Sequence, residues 1–255
     1  MKLCVLGHGI GYTLSPKLHA SFAQTLGENF SYDVADVPPE ELESAVKRLF
    51  NAYDGFNVTK PYKERVAAIM GVSCPVNTVR CCDGASTSTD GAGFLCDYTR
   101  AFGVPQGRLL VLGAGGAAKA VLSVLGKIPD VSVHVYNRTY EKAAALAGGR
   151  IQAVKHLAER YDAVINGTSL GLHGEQSAPD ELMWQNVRYA YDLIYAPPVT
   201  PFLQRAQEAG AQTQNGLGML IYQAIAAQEF WRGKPFSKQQ KEQLFARAQT
   251  AIQNS

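Results

Sequence analysis

The sequence has little cysteine and no arrangement of it that would staple a fold or hold a metal. Five cysteines, Cys4, Cys74, Cys81, Cys82 and Cys96, stand in a chain of 255 residues. An odd count without CxxC or His-rich spacing argues against a disulfide framework and against zinc. Buried structural thiols are expected instead, with Cys81-Cys82 the pair most open to oxidation. Charge of one sign is equally scarce. The 24 Lys and Arg against 22 Asp and Glu leave a net charge of +2 and no long charged run. Nothing in that balance points to nucleic acid or a membrane surface. No hydrophobic run approaches a membrane span, and the N-terminus enters an apolar strand with no signal sequence, so a cytoplasmic location is expected. Internal repeats, low-complexity segments and long linkers are missing too. Apolar residues, by contrast, make up 46% of the chain, enough to core one large or two medium domains.

A further absence lies mid-chain, in the stretch the rest is organised around. Leu109 to Leu112 read as a strand buried on both faces. Gly113, Gly115 and Ala118 follow with the G-x-G-x-x-G/A spacing of a dinucleotide-binding turn, feeding a helix over 117–125. Gly113 allows the tight turn, Gly115 lets the backbone approach a pyrophosphate, and the helix N-terminus faces the phosphates. A second strand, Val131–Tyr136, lies at βαβ distance. The acid that would normally close it against a ribose 2′-hydroxyl is missing. Asn137-Arg138-Thr139 stands there, with Lys142 one turn on. Arg138 offers a planar fork to a 2′-phosphate that an acid would repel, so NADP is expected over NAD. Plain solvated charges at a helix start are the bland alternative.

Before this stretch the chain has its own β-α-β rhythm. Lys2 to Leu6 form a strand, and a glycine-rich loop leads to Tyr12-Thr13-Leu14-Ser15-Pro16. Ser15 reads as an N-cap with Pro16 at the first helical position. Leu18, Phe22 and Leu26 mark the inward helix face, and Gly27 ends it. Thr13 and Ser15 thus place two hydroxyls beside free backbone N–H groups, a plausible carboxylate site, although capping alone accounts for Ser15. Asn57, Thr59 and Lys63 cluster where a strand ends at Thr59 and Pro61 starts a helix, the strand end at which open α/β sheets bind ligands. Asn77 and Asp90 add polar groups at turns. Lys63 as a surface lysine and Asp90 as a simple cap remain open. Later, Tyr161–Ile165 is a buried strand ending in Asn166-Gly-Thr168-Ser169, and Tyr195 emerges from the strand over 190–194. Gln223 interrupts a long apolar helix and needs either a core partner or a substrate hydroxyl.

Gly55-Phe-Asn-Val-Thr-Lys-Pro-Tyr-Lys63, Val76-Asn-Thr78, Thr89-Asp-Gly91, Gly113-Ala-Gly-Gly-Ala117, Asn137-Arg-Thr139, Asn166-Gly-Thr-Ser169, Asp192-Leu-Ile-Tyr195 and Gly216-Leu-Gly-Met-Leu-Ile-Tyr-Gln223 follow one another in order. In these motifs the chain resembles the shikimate dehydrogenase family. It implies an α/β fold of two domains with a cleft between them: a discontinuous α/β substrate domain, 1–101 plus 216–255, and a Rossmann-type NADP-binding domain, 102–215. It implies NADPH-dependent reduction of 3-dehydroshikimate to shikimate, with Lys63 and Asp90 as the catalytic pair. Thr13 and Ser15 would hold the substrate carboxylate, and Asn57, Thr59, Asn77, Tyr195 and Gln223 would surround the ring. Gly113, Ala114, Gly115, Gly116, Ala117, Asn137, Arg138, Thr139, Lys142, Asn166, Thr168, Ser169, Gly216 and Met219 would bind the cofactor. No metal is expected, nor a nucleic-acid or membrane partner, and the chain would be a monomer or homodimer. Two departures stand out. Thr13 replaces the family's first serine, and Ser88 replaces the asparagine before Thr89-Asp90. Quinate or amino-analogue dehydrogenases and a non-catalytic ligand-binding paralogue are the alternatives; retention of Lys63 and Asp90 speaks against the last.

Overall fold

A computed structural model describes residues 1–253. The chain forms two compact units, Met1–Thr89 with Ile221–Ser255, and Asp90–Leu220. The first unit opens with β1 (Lys2–Gly7), α1 (Ser15–Leu26), β2 (Ser31–Asp36), α2 (Leu42–Ala52), β3 (Gly55–Val58), α3 (Lys63–Ile69), β4 (Thr78–Arg80) and β5 (Ser86–Thr87). The sheet order is β2-β1-β3-β4-β5. The strands β2, β1 and β3 run parallel, and β4 and β5 turn back antiparallel. The strands β1 and β3 are apolar without alternation because both of their faces are covered. Cys4, Leu6, Leu42, Val46, Leu49, Phe56, Val58 and Tyr62 share one core.

The second unit contains α4 (Asp90–Phe102), β6 (Gly107–Leu112), α5 (Gly116–Leu125), β7 (Val131–Tyr136), α6 (Tyr140–Ala144), β8 (Ile151–Ala153), β9 (Tyr161–Asn166), β10 (Val187–Asp192), α7 (Pro201–Glu208) and β11 (Gln212–Gln214). Its sheet, β11-β10-β9-β6-β7-β8, is parallel throughout. The strand β6 shows why its sequence is a continuous apolar run. Leu109 and Val111 enter the core on one face with Val121 and Ile165, while Leu110 and Leu112 enter the core on the other with Val164 and Phe202. The winding changes direction between β6 and β9, the switch point at which doubly wound sheets bind ligands.

The helix α8 (Leu217–Arg232) begins in the second unit and ends in the first, and α9 (Lys238–Gln253) packs on α1. The compact units divide at 89/90 and 220/221, whereas the sequence places the domain limits near 101 and 216. Packing is the reason. Phe94 and Tyr98 of α4 join the core of Val111, Val121 and Tyr191, and a Cβ on Gly91 would lie 2.7 Å from the carbonyl oxygen of Ala120 in α5.

Three local expectations are corrected. Ser15 is the first helical residue of α1 and Leu14 precedes it, with no side-chain cap. Pro61 does not start α3; it follows a cis peptide bond in a turn, and the helix begins at Lys63. Of the cysteines only Cys4 is buried, while Cys74, Cys82 and Cys96 are exposed.

Candidate active site

In the first unit, the loops leaving β1 and β3 carry the polar residues. A Cβ on Gly7 would stand 2.7 Å from Thr59 Cγ2 and 2.8 Å from Ile10 Cγ2, so glycine lets the two strand exits approach. Asp36, at the end of β2, accepts hydrogen bonds from the amides of Gly9 and Ile10, both at 2.9 Å. These bonds hold its carboxyl below the usual range although the residue is exposed. They also pin the loop that delivers Thr13 and Ser15. The Thr13 hydroxyl accepts the Ser15 amide at 3.3 Å, so Thr13 takes the role expected of an N-cap at Ser15, and its Oγ1 donates to Ser15 Oγ at 3.2 Å.

A separate run of side-chain hydrogen bonds crosses the sheet. Tyr32 donates to Asn57 Oδ1 at 2.6 Å. Asn57 Nδ2 donates to the Asn77 carbonyl at 2.9 Å and to Thr78 Oγ1 at 3.0 Å. Thr78 Oγ1 donates to Asn77 Oδ1, and Asn77 Nδ2 donates to Thr89 Oγ1 at 3.0 Å. Asn57, Asn77, Thr78 and Thr89 are buried, so each polar group must be matched within the protein. The structure therefore links Thr13 to Ser15, and Asn57 to Asn77. Thr59 lies at the exit of β3, Lys63 opens α3, and Gln223 sits half-buried on α8. Asp90 belongs to the second unit, where it opens α4 and is buried.

The second unit presents the glycine turn. Gly113 has φ 98°, and a Cβ there would meet Thr168 Cγ2 at 2.9 Å, so both conformation and space demand glycine. Gly115 precedes α5 in extended conformation. Nothing lies within 4 Å of a Cβ on Gly115 or Gly116, and both are exposed. The first N–H groups of a helix have no intrahelical partner, so this open turn fits a pyrophosphate. Asn137 Nδ2 donates to the Thr139 carbonyl at 2.8 Å, which shapes the loop after β7 and leaves Arg138 and Lys142 exposed. Asn166 is buried at the end of β9. Its Oδ1 accepts the amide and hydroxyl of Thr168 at 3.1 and 2.8 Å, and its Nδ2 donates to Asp192 at 3.0 Å. Burial raises the Asp192 carboxyl, opposed by hydrogen bonds from Thr200, Ile194 and Asn166. Ser169 is exposed and Tyr195 half-buried. Gly216 donates its amide to the Ile194 carbonyl at 3.1 Å and approaches the Leu193 carbonyl too closely for any side chain, while Met219 packs on the core.

Sequence reasoning did not single out Tyr32 or Asp36. An aromatic residue on a strand and a carboxylate at its end carry no signal that separates them from packing and capping. Only the register of β2 beside β1 brings them to the site.

A six-stranded parallel sheet with an open glycine turn after its first strand has the architecture of a dinucleotide-binding domain, and the chain pairs it with a second α/β unit rich in matched hydroxyls and amides. Residues 5–75 match the family profile described as the shikimate dehydrogenase substrate binding domain. The NADP(+) shikimate dehydrogenase of Alcanivorax borkumensis is 35% identical over 90% of this chain and 91% of its own length. That of Alkalilimnicola ehrlichii is 37% identical over 91% and 93%. The crystal structure of shikimate 5-dehydrogenase from Thermus thermophilus, in complex with NADP(H) and shikimate, superposes with a TM-score of 0.86 at 34% identity, covering 98% of this chain and 99% of that one. The chain belongs to the shikimate dehydrogenase family.

Proposed function

We propose that this chain catalyses the reversible reduction of 3-dehydroshikimate to shikimate, the first unit holding the substrate and the second holding NADP(H). The hydrogen-bonded run from Tyr32 to Thr89, with the Thr13–Ser15 pair in the same unit, is the observation that carries the reading, because it supplies hydroxyls and amides as a polyhydroxylated acid requires. Thr13 and Ser15 bind the carboxylate through their hydroxyls. Asn57, Thr59, Asn77, Tyr195 and Gln223 surround the ring and its hydroxyls. Gly113 to Ala117 cradle the pyrophosphate, and Asn137, Arg138, Thr139 and Lys142 receive the 2′-phosphate. Asn166, Thr168 and Ser169 would line the nicotinamide ribose, and Gly216 and Met219 would also bind the cofactor.

When bound, NADPH supplies the hydride to the ring carbonyl carbon. Lys63 delivers a proton from Nζ to the carbonyl oxygen, and its charge offsets the developing alkoxide. Asp90 serves as the carboxylate that orients the ammonium. The reading is tested by mixing the protein with shikimate and NADP and following NADPH absorbance. Rapid turnover is expected, and its absence at saturating concentrations of both refutes the assignment. Because Thr13 and Ser88 depart from the family pattern, a parallel assay with quinate measures how far they broaden the pocket; turnover of quinate comparable to that of shikimate would favour the dual-substrate alternative.

Two variants test the binding roles. Arg138→Ala is expected to weaken NADP binding by about tenfold or more, the scale of a lost charge-assisted hydrogen bond, and to leave NAD nearly unchanged. Equal losses for both cofactors would remove Arg138 from the 2′-phosphate site. Ser15→Ala is expected to raise the KM for shikimate with little change in Tm. The usual cost of a lost cap, about 1 kcal/mol, should not appear, because Ser15 makes no capping bond. A fall in Tm with an unchanged KM would return Ser15 to a purely structural role.

A further inference from the structure

The register of the second sheet brings one more cation to the loop after β7. The strand β8 runs parallel to β7, with Val133 beside Ile151 and Val135 beside Ala153. The Val154 amide donates to the Val135 carbonyl at 3.0 Å, so the pairing persists just past the end of β8. Carried on, the same register sets Lys155 level with Asn137, at the strand end where Arg138 and Thr139 follow. The helix α6, which begins at Tyr140, closes this corner. Its Ala143 shares the core of Val133 and Val135, against which Ile151 and Ala153 of β8 also pack.

Lys155 is exposed, yet its side chain is held. The ammonium lies over the ring of half-buried Tyr140, 4.6 Å from the centroid. The negative face of a ring attracts a cation without neutralising it. Part of the freedom of the lysine is therefore lost before any ligand binds, and its charge stays available. Arg138, Lys142 and Lys155 thus stand on three adjacent segments: the loop after β7, α6 and the exit of β8. Among the described residues, none of the three forms an ion pair with a carboxylate. Like charges gathered at one sheet corner repel, and an anion received among them offsets that repulsion.

We infer that Lys155 is a specificity-determining residue of the 2′-phosphate site, a third cation held there by the Tyr140 ring beside Arg138 and Lys142. Arg138 offers a planar fork, which fixes the orientation of the phosphate. Lys155 offers a point charge on a flexible stem, which adds attraction without dictating geometry. Tyr140 acts through Lys155 and is a positioning residue. The role needs a phosphate on the ribose, so it separates NADP from NAD and makes no demand on the shikimate side. This inference rests on the proposed NADP reading, and the two are separable. Wild-type turnover with NADP decides the reading, and only ratios between variants and wild type bear on Lys155.

The test is calorimetric titration of the full chain with adenosine 2′,5′-bisphosphate, which needs no turnover, together with KM values for NADP and NAD. Lys155→Met keeps the stem and removes the charge. It is expected to weaken the bisphosphate and raise the KM for NADP by roughly five- to tenfold, with the KM for NAD, the KM for shikimate and kcat changed by less than about twofold. Tyr140→Leu removes the ring and leaves the charge. It should weaken the bisphosphate by about threefold, and Tyr140→Phe, which keeps the ring, should bind it as the wild type does. Unchanged bisphosphate binding in Lys155→Met overturns the inference. So does an equal rise of the KM values for NADP and NAD, which is the pattern of a local packing change. A loss in Tyr140→Phe as large as that in Tyr140→Leu would trace the effect to the phenol and overturn the hold of the ring on Lys155.

Discussion

Lys63→Ala is expected to lower kcat by roughly a hundredfold or more, the usual scale for a positioned acid–base group, with much smaller changes in shikimate and NADP binding. The residue stands first in α3, one turn beyond the exit of β3, and is half-buried. That position gives the ammonium a fixed root on the same strand exit that carries Thr59 and a long stem with which to reach substrate. A charge that stabilises a developing alkoxide acts on the transition state, so its loss falls on kcat more than on KM. Asp90→Ala should lower kcat as well, and the double variant should lose less than the product of the two, because groups that work as a unit are not additive. Steady-state kinetics on the three variants decide the matter. A near-normal kcat with a large rise in KM would make Lys63 a binding residue and leave the proton without a donor.

The parts of this arrangement that were legible beforehand are those set by local chemistry. The strand β6 announced itself because a strand covered on both faces has no polar alternation, and Gly113 because its positive φ and the crowding by Thr168 admit nothing larger. What could not be read depends on contacts between distant segments. The helix α4 follows the first sheet in sequence, but Phe94 and Tyr98 find their partners on β6, α5 and β10, so the compact units divide a helix earlier than the motifs suggest. Ser15 before Pro16 has the local pattern of a cap. The Thr13 hydroxyl instead takes the Ser15 amide and donates to the Ser15 hydroxyl. Tyr32 lies 25 residues before Asn57 and reaches it only because β2 and β3 run parallel on either side of β1.

Acid is expected to weaken the first unit through His19, starting as the pH falls below 6.5. The imidazole is 1% exposed and lies against Tyr32 of β2, Phe22 of its own helix, and Trp231 and Gln228 of α8. The nearest charge behind Gln228 is Arg232, which disfavours a second cation there. Burial lowers the folded-state pKa to about 3, from an ordinary value of 6.5. The sign follows from proton counting. Above pH 6.5 the ring is neutral in both states, and stability is at its full value. As the pH falls below 6.5 the unfolded chain takes up a proton that the folded protein refuses, so folding loses free energy until the folded ring also protonates near pH 3. The loss is about 2 kcal/mol at pH 5 and about 4 kcal/mol at pH 3, upper values for a ring that opens locally before it protonates. Denaturant titrations at pH 7.5 and pH 5 would measure it. His19→Phe, which keeps an aromatic ring beside Tyr32 but cannot take a proton, should lose distinctly less stability between those two pH values than the wild type. Equal losses in the two proteins would mean that His19 protonates in the folded state, which requires the ring to find water or a carboxylate within the first unit.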